Sequence, residues 1–95
     1  MRIESIICPI NIEEKLQSKH GVTSRQAEQV LRNRPRIRFV EKGHIRGNDM
    51  YISLGRTFEG RCLSVFFIYK PESRTAIIMS ARSMSKKERR IYEQK

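Results

Sequence analysis

The run Cys62-Leu63-Ser64-Val65-Phe66-Phe67-Ile68, between Arg61 and Tyr69, is apolar at almost every position. A strand wet on one side alternates apolar with polar residues, whereas a strand buried on both sides reads as an unbroken apolar stretch. This segment predicts a central strand, so the rest of the chain must supply neighbours for both its edges. Pro71-Glu72-Ser73 turns the chain into a further strand, Thr75 to Ala81. Upstream, Glu59-Gly60 marks the turn out of a half-buried strand in which Met50, Ile52 and Leu54 alternate with Tyr51, Ser53 and Gly55. After a break at Pro35, Arg36-Ile37-Arg38-Phe39-Val40-Glu41 alternates as a strand with its basic residues outward. Lys42-Gly43 and Gly47-Asn48-Asp49 read as turns on either side of His44-Ile45-Arg46. Strands joined by such short turns favour an antiparallel meander, because parallel neighbours need long crossovers.

Helical signals flank this sheet. Asn11 with Glu14 has the spacing of an N-cap and its capping-box partner, and Ile12 and Leu16 fall on one face of a helix that Gly21 can terminate. Thr23 with Gln26 repeats the arrangement, and Ala27, Val30 and Leu31 give a second helix its apolar stripe, ending near Asn33 or Arg34. A third helix is expected from about Ser85, where Glu88 stands at the capping-box position. Ile3, Ile6 and Ile7, before Pro9, predict a short edge strand within Arg2 to Cys8. The expectation is a single α+β domain over residues 1–95, with two N-terminal helices, a mostly antiparallel four- or five-stranded sheet, a C-terminal helix, and the helices packed on one sheet face.

Lys and Arg number 20 against 10 Asp and Glu, a formal charge of +10. A polyanionic partner follows naturally, since cations along a phosphate backbone release condensed counterions; a surface made basic for solubility is the plainer alternative. Cys8 and Cys62 are too few for a disulfide framework and read as small buried residues in a reducing cytosol. The start of the chain lacks the apolar core of a signal peptide and no stretch is long enough to span a membrane, so a cytoplasmic location is expected. Cys8, His20, His44 and Cys62 lack the paired spacing of a metal site, and the isolated glycines form no phosphate-binding loop. No metal and no cofactor is expected.

What recurs is a set of cations with a few proton-transfer groups among them. Cleaving RNA without metal requires removal of the 2′-hydroxyl proton, charge stabilisation on the phosphate, and protonation of the departing 5′-oxygen. Arg82 leaves an apolar strand where a helix begins, and Glu88 and Tyr92, four apart, share one face of that helix. Arg61 has the strand parity of Leu63, Val65 and Phe67, and Arg82 that of Ile78 and Ser80; whether the two share a sheet face stays open, because a bulge reverses the answer. His20 either packs at its helix end, where it suits the dipole, or moves protons. Lys15, Lys19, Arg36, Arg38, Arg89 and Arg90 supply a basic surface for RNA or for an acidic protein. Each candidate has a plainer task as well: Arg82 pairing with Glu88, Glu88 capping its helix, Tyr92 packing its ring on the sheet.

Three stretches, in order, are Lys15-Leu16-Gln17-Ser18-Lys19-His20-Gly21-Val22-Thr23 with Ala27, then Gly60-Arg61-Cys62-Leu63-Ser64-Val65, then Ser80-Ala81-Arg82 with Glu88-Arg89-Arg90-Ile91-Tyr92. Together they resemble the opening, middle strand and ending of the BrnT-like toxins, over about Asn11 to Tyr92. The resemblance implies a ribonuclease toxin of a type II toxin-antitoxin system, with a RelE-like fold, that inhibits translation by cutting RNA. It further implies neutralisation by a BrnA-like antitoxin with a DNA-binding domain, in a hetero-oligomer that represses its own operon. One departure is plain: the family commonly has a Trp-Asp pair before the first helix, where this chain has Pro9-Ile10-Asn11 and no tryptophan. The resulting reading is a metal-independent ribonuclease in which Arg61 and Arg82 stabilise phosphate charge and His20, Glu88 or Tyr92 move protons. The alternatives are a nucleic-acid-binding module without catalysis and an inactive toxin kept as an antitoxin partner.

Overall fold

The computed structural model describes residues 1–94. Its elements run β1 (Ser5–Ile7), α1 (Ile10–His20), α2 (Ser24–Arg32), β2 (Arg36–Glu41), β3 (Met50–Arg56), β4 (Cys62–Lys70), β5 (Thr75–Ser83) and α3 (Lys86–Glu93). The strands form one sheet in the order β1-β5-β4-β3-β2. β2 to β5 make the expected antiparallel meander, and the apolar β4 is its middle strand. β1 closes the far edge by pairing parallel to β5, Ser5 opposite Thr75.

Two of the three helix starts are fixed as the spacing predicts. Thr23 with Gln26 and Ser85 with Glu88 both form complete capping boxes, each side chain accepting from the other residue's backbone N–H. α1 differs: it begins at Ile10, and Pro9 rather than Asn11 precedes it without a side-chain cap. The Pro9 carbonyl already accepts from Glu13 N–H at 2.9 Å, so the helix closes its first turn earlier than Asn11 would allow. Gly21 ends α1 at φ 60°, and the N–H groups of Gly21 and Val22 return to Gln17 O and Leu16 O. Glycine takes that left-handed conformation without a Cβ clash.

α1 and α2 cover one face of the sheet. Leu16, Val22, Ala27, Val30 and Leu31 meet Leu63, Val65 and Phe67 of β4 and Ala76, Ile78 and Ala81 of β5, all at most 5% exposed. α2 comes close enough to β3 that a Cβ on Gly55 would stand 3.1 Å from Val30 Cγ1 and 3.3 Å from Pro35 Cβ. The expectation of helices on one face fails for α3. It packs on β3 from the opposite side and buries Leu54, which belongs to no part of the helical core. Cys8 and Cys62, expected buried, are only half-buried.

β5 carries the irregularity that matters most for the site. Phe67 pairs with Ile78 but Phe66 pairs with Ser80, so Met79 has no partner across the ladder. One extra residue inverts the alternation beyond it. Ala76 and Ile78 point into the helical core, and after the bulge it is Ala81, not Ser80 or Arg82, that does so.

Because α2 sits against Gly55, Gly55→Ala is expected to push Val30 and Pro35 outward and lower stability by about 1–2 kcal/mol. A urea unfolding curve with an unchanged midpoint would show that the approach is looser than described.

Candidate active site

The ladder sets out the α3 face of the sheet in cross-strand rows. In one row Arg82 of β5 stands opposite Ser64 of β4, Ser64 opposite Leu54 of β3, and Leu54 opposite Arg36 of β2. α3 lies over this row and is bound to it from end to end. Glu88, in the first turn of α3, meets Arg82 and Ser64, and the Ile91 carbonyl near the other end accepts from Arg36 Nη1 at 3.2 Å.

Glu88 is the most heavily hydrogen-bonded side chain of this corner. Its Oε1 accepts from Arg82 Nη1 at 2.6 Å, from Ser64 Oγ at 2.9 Å and from Ser85 N–H at 2.9 Å, and its Oε2 accepts from Arg82 Nη2 at 2.8 Å. Two parallel N–H···O bonds between guanidinium and carboxylate form the strong, geometrically specific type of ion pair. The Arg82 bonds, ahead of those from Ser85 and Ser64, hold the Glu88 carboxyl down to about 2 against the burial that opposes them. The same bonds push Arg82 upward. A carboxylate with so low a proton affinity is a poor general base near neutral pH, and its bonds tie Arg82, Ser64 and the start of α3 together.

Arg82 is thereby fixed at three points. Nη1 also donates to Ser83 O at 3.2 Å, and the guanidinium carbon lies 5.5 Å from the centre of the Phe66 ring. With Nη1 and one hydrogen of Nη2 engaged, Nε–H and the other Nη2 hydrogen have no acceptor among the described residues. Ser64 and Phe66, neither singled out from the sequence, thus help place this arginine. The signal for Ser64 was present: it is a polar residue inside an apolar strand, and it is fully buried.

The other sequence candidates are distributed differently. Tyr92 does not join the Arg82 corner; its ring lies below Arg56, 5.7 Å from the guanidinium carbon. Arg61 is on the opposite side of the sheet from Arg82, which resolves the parity question through the Met79 bulge. Its guanidinium donates to Gly21 O at 2.8 Å, His20 O at 3.3 Å and Gln26 Oε1 at 3.3 Å. It therefore satisfies the open carbonyl end of α1, where a cation also suits the dipole. His20 itself is exposed at that end, as are Lys15 and Lys19 along α1. Arg38 stands exposed on β2 opposite Ile52, one row beyond α3. Arg89 pairs with Glu93 one turn along α3 and Arg90 is exposed.

A low carboxyl value linked to folding has a fixed sign. Glu88 contributes stability above its unfolded value near 4.5, and loses it as pH falls toward about 2. With Arg82 about a third exposed, the contribution after solvent screening is roughly 1–2 kcal/mol. Glu88→Gln should remove that acid-labile part, so the variant loses less stability than the parent between pH 5 and pH 2.5 (about the window set by the two values). Equal losses in urea titrations at both values would contradict the pairing.

Among curated protein sequences none matches this chain. The family model for the ribonuclease toxin BrnT of type II toxin-antitoxin systems does, over residues 11–88, a span that takes in all of α1 after Ile10, the whole meander and Glu88. The chain with its Arg82–Glu88 clamp at the strand-to-helix turn is a member of the BrnT family of type II ribonuclease toxins.

Proposed function

We propose that this toxin is a metal-independent endoribonuclease with a RelE-like fold, cutting RNA by attack of the 2′-hydroxyl on the adjacent phosphate and thereby inhibiting translation. The observation that carries the reading is the placement of Arg82, held by Glu88, the Ser83 carbonyl and Phe66 with two N–H donors left for an anion. Donors fixed in advance stabilise charge as it develops on the phosphate without having to reorganise. Glu88 is a positioning residue. Tyr92 lies one turn beyond Glu88 on α3 and over Arg56 rather than Arg82, so its role as proton-transfer group requires the bound RNA to extend from Arg82 past that turn. Arg61 keeps α1 in place, while His20, Lys15, Lys19, Arg89 and Arg90 extend the basic surface that draws RNA in. The toxin works in the cytoplasm until a BrnA-like antitoxin with a DNA-binding domain neutralises it in a hetero-oligomer, an assignment supported by family membership.

Arg82→Ala is expected to lower cleavage of RNA by about 10²- to 10³-fold, the usual effect of losing one preorganised donor. Arg82→Lys should recover only part of the rate, because an ammonium cannot form the fork to Glu88. Purified toxin freed of antitoxin would be assayed on RNA with and without chelator, and the products examined for 2′,3′-cyclic phosphate ends. Full activity in Arg82→Ala, or loss of activity on chelation, would overturn the proposal.

A positioning role for Glu88 has its own signature. Glu88→Gln should reduce kcat while leaving the shape of the pH–rate profile intact, whereas removal of a general base erases one limb of the profile.

A further inference from the structure

The row beyond α3 on the same sheet face is Ser80, Phe66, Ile52 and Arg38, each opposite the next across the ladder. Among the described residues no helix covers it, since α1 and α2 pack on the other face and α3 lies over the Leu54 row. Phe66, Ile52 and Ser80 are half-buried and Arg38 is exposed at the β2 end of the row. α3 forms a wall along one side, with Arg82 at the β5 end of that wall. Three inter-strand steps give the floor a width of about 14 Å. Of the cations over this face, Arg82 is paired with Glu88, Arg36 donates to the Ile91 carbonyl and Arg56 lies over Tyr92, while Arg38 stands exposed at the end of the floor.

From this geometry, and resting on the reading of the toxin as a ribonuclease, we infer that the floor beside α3 is a subsite for single-stranded RNA in which Phe66 stacks a base next to the phosphate at Arg82 and Arg38 takes a phosphate further along the strand. An aromatic ring in a sheet surface offers a π-face to any base, and such stacking requires a base that is out of its helix. The Phe66 ring and the Arg82 guanidinium are in contact, so a base on one and its own phosphate on the other lie within the reach of a single nucleotide. In duplex RNA the bases are turned inward and paired, and the floor has nothing to stack. Phe66 thus sets specificity for strandedness, and Arg38 sets the footprint.

The test uses the whole toxin and a fluorescent 12-nucleotide 2′-O-methyl RNA, which has no free 2′-hydroxyl to attack and so reports binding apart from cutting. Phe66→Ala is expected to weaken binding about 10-fold, with its salt dependence unchanged. Phe66→Trp should bind like the parent. Phe66→Leu fills the same apolar space without a π-face and should behave like Phe66→Ala; an unchanged salt slope in both separates lost base stacking from a displaced Arg82, which would lower that slope. Arg38→Ala should reduce the slope of log affinity against log salt by about one. The same strand annealed to its complement should bind more weakly and be indifferent to Phe66.

Parent-like binding by both Phe66→Ala and Phe66→Leu, or equal affinity for duplex, would overturn the inference. So would loss of inhibition by the antitoxin with RNA binding intact, since the floor would then be a protein dock. Failure of the subsite and failure of the proposed activity give different results. Cutting by the parent with no Phe66 effect removes this subsite alone, whereas the expected binding pattern without cutting removes the ribonuclease reading and leaves the subsite.

Discussion

Everything distinctive about the site depends on the ladder between β4 and β5 being one residue out of step. Without Met79 outside the pairing, the alternation that buries Ala76 and Ile78 would carry Arg82 into the helical core, where no anion could reach it and no carboxylate awaits it. With the bulge, Ala81 fills the core position instead and Arg82 emerges opposite Ser64 on the side where α3 lies. The helix then has to start immediately, because Glu88 must sit in its first turn to meet Arg82. Bulge, arginine, helix cap and carboxylate therefore form one geometric unit in a short stretch of chain.

Much of the fold was legible because its signals are local. The apolar β4, the turns at Glu59-Gly60 and Pro71-Glu72-Ser73, and two capping boxes each depend on residues a few positions apart, and each is present in the structure. What escaped reading depends on partners distant in the chain. Met79 looks like any strand residue until its register against Phe66 and Phe67 is known. The parallel pairing of β1 with β5 joins segments separated by nearly the whole sequence. The side of the sheet taken by α3 follows from the bulge and is equally invisible. Of the candidate site, the proximity of Arg82 and Glu88 could be read from their spacing. The separation of Tyr92 from them, and the attachment of Arg61 to the end of α1, could not.

The two prominent arginines illustrate how one side chain serves different ends according to what surrounds it. Arg61 meets backbone carbonyls and the Gln26 amide, uncharged acceptors that use its donors to close a helix end. Arg82 meets a carboxylate and an aromatic ring, which fix its plane while leaving one edge open. The strong positive charge of the chain thus has a structural fraction and a fraction available to a partner.

The parallel pairing of β1 with β5 has a consequence for how the molecule comes into being. Synthesis proceeds from the N-terminus, so β1 is made first yet has no partner until β5 exists. Closing a loop of that length costs more entropy than closing the hairpins of the meander, so the meander can form while β1 waits. α1 packs on β5 as well, and its docking is delayed with it. The strand that bears Arg82 is the one on which β1 and α1 depend, which ties completion of the fold to completion of the clamp and leaves a partly made chain without either.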